Sequence, residues 1–231
     1  MIYVTSDLHG YPLAKFKELL SKAIFSDNDY CFVLGDVIDR GPESIELLKW
    51  MMMQRNVELI MGNHEAMLLA CSFLFDEITD ESLDNLSEED MTAFNTWVAN
   101  GGRETLKELS ECDGETVLQI VEYLKDAPLY DSVRVNNKDF LLVHSGLGKF
   151  NSNKKIEDYS ADELIWTRPK LTQKYFDDMV TILGHTPTHF YGAEYRGKAV
   201  KTSSWIDIDT GAAYGGSPML LRLDDMREFY V

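Results

Sequence analysis

The chain has 231 residues, 45% hydrophobic and 26% charged, which is ordinary globular usage and excludes disordered and collagen-like readings. Against 39 acidic residues stand 22 basic ones, and the formal charge of −17 is opposite to the footprint of proteins that bind nucleic acid or anionic membranes, so neither partner is expected. At roughly 150 residues per domain, the length predicts a single domain over 1–231 that carries an insertion.

In chain order, Ile2–Thr5, Tyr30–Leu34 and 57–61 are short apolar or β-branched runs, each ending in a cluster of Gly, Asp, Asn, Ser or His, and they predict buried strands. Between them, Leu13, Phe16, Leu19, Leu20 and Ile24, then Ile45, Leu48, Met51 and Met52, recur at helical spacing, with Pro12 and Pro42 placed as first-turn prolines. Such β-α-β-α-β-α alternation predicts parallel strands covered by helices, with a ligand site beyond the strands' carboxyl ends.

Residues 76–90 hold eight acids and no Lys or Arg, after which Ala93, Phe94, Trp97 and Val98 restore a helical period up to Asn100-Gly101-Gly102. Helix is expected to about Lys125, where Pro128 ends it, so a helical acidic insertion spans about 76–127, its acidic run a solvated face. The second half is richer in β-structure. Segments 129–135 and 139–144 flank the turn-forming Asn136-Asn137-Lys138 as a hairpin, and 181–183, 205–208 and 219–223 read as further strands, adding α+β features to the α/β start.

No run approaches the length of a membrane span, and Met1 to Val4 is too short for a signal core. Cys31, Cys71 and Cys112 form no C-x-x-C pair and none begins a C-x5-R nucleophile motif. A reducing cytoplasm is the expected compartment. Met51-Met52-Met53 reads as core filling and His189 as structural, while Gly211 and Gly215-Gly216 lack the Lys-Ser/Thr of a phosphate-binding loop.

The chemistry gathers at the strand ends: Ser6-Asp7-Leu8-His9-Gly10, Gly35-Asp36-Val37-Ile38-Asp39-Arg40-Gly41, Gly62-Asn63-His64-Glu65, Val143-His144-Ser145-Gly146 and Gly184-His185-Thr186. Four of the five histidines lie there. Asp, His and Asn without thiolates form a hard-to-borderline donor set suited to Mn²⁺, Fe²⁺ or Zn²⁺.

This ordered set, with the landmarks Asn100-Gly101-Gly102, Trp166-Thr167-Arg168 and Asp209-Thr210-Gly211, resembles the bacterial and phage phosphoprotein phosphatase branch of the calcineurin-like metallophosphoesterases, the lambda phosphatase-like serine/threonine phosphatases, over nearly the whole chain. The resemblance implies a β-sandwich core flanked by helices in α-β-β-α layers. It also implies two divalent ions, with Mn²⁺ expected in vitro and Fe²⁺, Fe³⁺ or Zn²⁺ as alternatives. Asp7 and His9 would bind the first ion, Asp36 would bridge both, and Asn63, His144 and His185 would bind the second; Arg40, Arg168 and Asn63 would hold phosphate. A metal-bridging hydroxide would attack the phosphate directly, while His64 acts as general acid and Asp39 stabilises its imidazolium. Ser6 stands where the family usually has Gly, and Ser145 where Ala is frequent.

The implied substrate is a phosphoprotein or small phosphate ester. A dinucleoside polyphosphate hydrolase is the enzymatic alternative, since symmetrical diadenosine tetraphosphatases share most of these motifs but tend to carry a small residue at Asp39 and Asp at Glu65. A metal-loaded binding module without catalysis is the third reading.

Overall fold

The computed structural model describes residues 1–75 and 87–231. Most of the acidic run foreseen at 76–90 therefore lies outside the described residues. Among the described residues, ten strands form two mixed sheets of five.

In the first sheet β1 (Ile2–Thr5), β2 (Tyr30–Leu34) and β3 (Val57–Ile60) are parallel, while β9 (Met219–Arg222) and β10 (Arg227–Tyr230) extend the β1 edge antiparallel, in the order β10-β9-β1-β2-β3. The second sheet, in the order β4-β5-β6-β8-β7, also has three parallel strands at its centre but carries an antiparallel strand on each edge. Here β5 (Lys138–Val143), β6 (Met179–Leu183) and β8 (Trp205–Asp207) are parallel, and β4 (Tyr130–Val135) and β7 (Val200–Lys201) are antiparallel edges.

Both faces of each sheet are covered, which is why the central strands read as continuous apolar runs instead of alternating ones. Val4, Phe32, Leu34 and Ile60 of the first sheet pack against Phe140, Leu142, Ile182 and Ile206 of the second and form the sandwich core. The residues of opposite parity, Tyr3, Cys31, Val33 and Leu59, join the helical layer made by α1 (Leu13–Lys22), α2 (Ser44–Met52), α3 (Asn63–Ala70), α4 (Glu88–Trp97), α5 (Arg103–Ser110) and α6 (Gly114–Lys125). On the far side Leu141, Val143 and Leu183 pack on Leu164 and Ile165 of α7 (Ala161–Ile165). The layers are thus α-β-β-α. Each Leu or Val buried in them contributes about 1.5–3 kcal/mol.

Local signals account for the element ends. Ser87 caps α4 by accepting from the Asp90 amide at 3.0 Å, and Asp113 caps α6 by accepting from Thr116 at 2.8 Å. The β4-β5 hairpin closes through Asn136 and Asn137 alone, with φ of 49° and 64°, so Lys138 belongs to the strand and not to the turn. Strand β10, the two-residue β7 and the closing residues of 57–61, 205–208 and 219–223 differ from the sequence expectation. Edge strands that are half exposed lack the apolar runs by which central strands are recognised. Among the described residues no helix is long and apolar enough to cross a membrane.

Because β1, β2 and β3 are mutually parallel, as are β5, β6 and β8, each sheet delivers its strand-end loops to one rim. The contacts described next join residues from both sets.

Candidate active site

Asp7 and His9 follow β1, Asp36 to Arg40 follow β2, Asn63 and His64 open α3 after β3, His144 follows β5, and His185 follows β6. The strand-end turns are so tight that Asp7, His9, Asp36, Asp39, Arg40 and His185 all adopt positive φ, between 45° and 72°. Such backbone is costly outside glycine and concentrates at functional sites. Gly35, at φ 73°, shows why the neighbouring glycines are required: a Cβ there would collide with the Gly62 backbone and lie 2.8 Å from His144 Nδ1. Gly35→Ala is expected to lower unfolding free energy by about 1–3 kcal/mol through strain and overpacking, read from urea denaturation. A change within a few tenths would show that this approach carries no cost.

The ten residues named from the sequence gather at one cleft: Asp7, His9, Asp36, Asp39, Asn63, His64, His144 and His185 are buried, and Arg40 and Arg168 are exposed at its edge. His9 Nε2 lies 3.9 Å from Asp7 Oδ1 and 3.5 Å from Asp36 Oδ2, and His144 Nε2 lies 3.4 Å from Asp36 Oδ1. His144 Nε2 is also 3.0 Å from Asn63 Oδ1 and 3.2 Å from His185 Nδ1. Asp36 is common to two groups able to hold a cation, one with His9 and His64, the other with His144 and His185. His64 takes the place in the first group where the sequence reading set Asp7, although Asp7 stays beside His9. Arg168 reaches the cleft through Nη1, 3.4 Å from the His185 carbonyl.

The tautomers follow from the partners. His144 Nδ1 faces the Leu34 carbonyl at 2.6 Å and His9 Nδ1 the Ile38 carbonyl at 3.0 Å; only N–H can donate to a carbonyl, so both Nε2 atoms present lone pairs to the cleft. Around His144, three acceptor atoms then converge, namely its Nε2, Asn63 Oδ1 and Asp36 Oδ1, while the buried His185 Nε2 has no hydrogen-bond partner among the described residues. Acceptors so placed repel one another unless a cation lies among them. Burial pushes the Asp7 and Asp36 carboxyls well above their ordinary range and the His9 and His185 imidazoles well below theirs, a further cost that bound cations would offset. The oxygen and nitrogen donors fit divalent ions.

His64 and Asp39 are paired, with Nδ1 and Oδ2 2.6 Å apart and both side chains buried. Burial pushes the Asp39 carboxyl up to about 7, opposed by hydrogen bonds from Thr105 and Trp97. Burial also lowers the His64 imidazole, with the Arg40 guanidinium acting in the same sense. Arg40 donates through Nη1 to His9 Nε2 at 3.0 Å and through Nη2 to His64 Nε2 at 2.9 Å.

Several supporting contacts were not assigned from the sequence, although Glu65 and Asp209 stand in the motifs it names. Glu65 is buried and accepts the amides of Asp36 and Val37 at 2.8 Å and of Gly62 at 3.1 Å, fixing the turn after β2; its position three residues past Gly62 was the available signal. Buried Asp207 and Asp209 crowd Asp7, and burial pushes the Asp209 carboxyl up to about 7. Trp97 reads only as a member of a helical period, and Thr105 carries no sequence signal.

Known proteins resemble this chain in sequence and in fold. The family model described as calcineurin-like phosphoesterase matches residues 1–214. Serine/threonine-protein phosphatase 2 of Salmonella typhimurium is 24% identical over 218 residues, covering 94% of this chain and 89% of that protein. The symmetrical bis(5'-nucleosyl)-tetraphosphatase of Buchnera aphidicola (Schizaphis graminum) is 31% identical over 94 residues, 40% of this chain and 33% of that protein. Matches to such tetraphosphatases span between 25% and 43% of their lengths. A crystal structure described provisionally as a diadenosine tetraphosphatase superposes with a TM-score of 0.65 at 15% identity, covering 100% of this chain and 92% of the other, which is a likeness of fold.

Proposed function

Because the chain belongs to the calcineurin-like phosphoesterase family, we propose that it is a two-metal-dependent phosphomonoesterase of the bacterial and phage phosphoprotein phosphatase branch, acting on phosphoserine and phosphothreonine. Asp7 and His9 would hold one ion, Asp36 both, and Asn63, His144 and His185 the other. Bound divalent ions supply Lewis-acid charge that offsets the phosphate's and lowers the pKa of water.

The protein's own groups divide the rest of the work. Arg40 and Arg168 flank the cleft and donate to phosphate oxygens, with the Asn63 amide beside them. Their local positive field and that of the ions outweighs the acidic surface, which salt screens beyond about 8 Å. His64 keeps its Nδ1 toward Asp39, which leaves Nε2 as the atom that passes a proton to the leaving oxygen, and the Asp39 carboxylate favours the imidazolium that must be present beforehand.

That dyad is the observation that carries the substrate reading. A phosphoserine or phosphothreonine departs as a strongly basic alkoxide and needs a proton, whereas cleavage of a polyphosphate chain releases a weakly basic phosphate anion. A well-supported general acid therefore favours the phosphoprotein. The match over 89% of a serine/threonine phosphatase points the same way. The tetraphosphatase reading draws on the higher local identity to those enzymes.

After chelation and readdition of Mn²⁺, the protein is expected to turn over a phosphothreonine peptide in preference to diadenosine tetraphosphate, with p-nitrophenyl phosphate as a general reporter. Turnover of the dinucleotide alone would replace the proposed substrate by the second one, and metal-independent turnover would remove the metal requirement.

A further inference from the structure

The Asp39 carboxylate is held by more than His64. The Trp97 indole Nε1 donates to it at 2.9 Å from Oδ2 and 3.1 Å from Oδ1, and the Thr105 hydroxyl donates to Oδ1 at 2.6 Å. Thr105 Oγ1 also lies 2.9 Å from the Asp39 amide, with Ser44 Oγ at 3.1 Å. Trp97 and Thr105 are fully buried, and both lie in the stretch 76–127 that the sequence reading takes as an insertion.

Between them lies a kink over Val98–Gly102, where Gly101 leaves helical backbone at φ 111° and ψ 10° and α4 passes into α5. Its glycines serve this contact. A Cβ on Gly102 would lie 2.5 Å from the Trp97 ring, so the bare backbone lets the indole lie flat against the turn. Gly101, at φ 111°, turns its carbonyl onto the Arg40 amide at 3.1 Å, and the Asn100 carbonyl accepts from Arg40 Nε at 3.3 Å. One short segment thus grips the Asp39 side chain and the adjoining Arg40 backbone and guanidinium, at two residues whose φ of 72° and 70° must be held in place by their surroundings.

We propose that Trp97 and Thr105 are positioning residues for leaving-group protonation, and that the turn joining them is a clasp by which the insertion sets the geometry of the Asp39–His64 pair and of Arg40. This rests on the reading of His64 as general acid. Trp97 and Thr105 act through Asp39 and touch no substrate. With one donor missing, Asp39 rotates in its socket and the imidazole loses its fixed aim.

The test measures kcat/KM of the Mn²⁺-loaded full chain for a phosphothreonine peptide and a series of aryl phosphates, in Trp97→Phe, Thr105→Val, His64→Ala and the double variant Trp97→Phe/His64→Ala. Trp97→Phe keeps the ring and removes only the N–H. It is expected to lose about tenfold or more on the phosphopeptide, part of the roughly 10²–10⁴ that a general acid supplies, and under about threefold on p-nitrophenyl phosphate. In the His64→Ala background the same change should cost nothing further, since residues acting as one unit are non-additive. Thr105→Val should follow Trp97→Phe, and Thr105→Ser, which keeps the hydroxyl, should restore the wild-type dependence on leaving group; this pair carries the test if Trp97→Phe fails to fold.

Equal losses on all esters, or an additive loss in the double variant, overturn the clasp while leaving the acid assignment standing. A His64→Ala enzyme that shows no dependence on leaving group overturns the acid assignment and the clasp with it.

Discussion

Asp36→Asn should lower turnover of every phosphate ester by at least about 10³-fold and cost the protein most of one bound metal ion, because it strikes the one carboxylate common to both groups. The change is nearly isosteric, so the effect is one of charge and of the sense of a hydrogen bond. Asp36 Oδ1 accepts the His64 amide at 3.0 Å, which orients the asparagine with its oxygen there. Its NH₂ then replaces Oδ2, 3.5 Å from His9 Nε2 and 3.8 Å from His64 Nε2, and offers a donor where a ligand lone pair stood. The His9 side is therefore the more damaged, while the His144 side keeps an oxygen. Metal content after equilibration with Mn²⁺ and dialysis, measured beside kcat, reads this directly. Two retained equivalents with wild-type activity would exclude Asp36 as the shared ligand.

For His64→Ala the signature is a ratio. Loss of the proposed general acid should reduce turnover of a phosphothreonine peptide by about 10²–10⁴-fold, and of p-nitrophenyl phosphate by roughly tenfold or less, since nitrophenolate leaves without a proton. Metal content should change little, as His64 Nε2 lies 3.8 Å from Asp36 and its Nδ1 is committed to Asp39. A uniform loss on both esters would instead make His64 a ligand or a phosphate contact, a role its place beside His9 and Asp36 also permits.

The gathering of Asp7, His9, Asp36, Asn63, His144 and His185 was legible because each cluster combines a strand end with donor residues. The central strands were legible for a related reason: burial on two faces writes itself as an unbroken apolar run, as in Tyr30–Leu34. What failed to show was support at long sequence separation. Trp97 lies 58 residues from Asp39 and Thr105 lies 66, and periodicity marks the one only as a core position and the other not at all. Glu65 reads locally as a helix-start residue, yet its carboxylate serves amides 28 and 29 residues away. The edge strands β7 and β10 are short and partly exposed, so neither composition nor alternation announces them.

The positive φ of Asp7, Asp36, Asp39, His9 and His185 has a bearing on which sequences can encode this site. Aspartate and histidine are among the few residues apart from glycine and asparagine that enter left-handed backbone at modest cost, through short polar side chains that bond locally. At Asp7, His9, Asp36 and His185, the positions proposed to hold the ions, curvature and the proposed coordination favour the same amino acids, and at Asp39 the bend coincides with the contact to His64. Glutamate, an equivalent ligand to the ion, is a poor substitute to the chain. The alphabet available for metal chemistry at these strand ends is narrowed by the bend before any ion arrives.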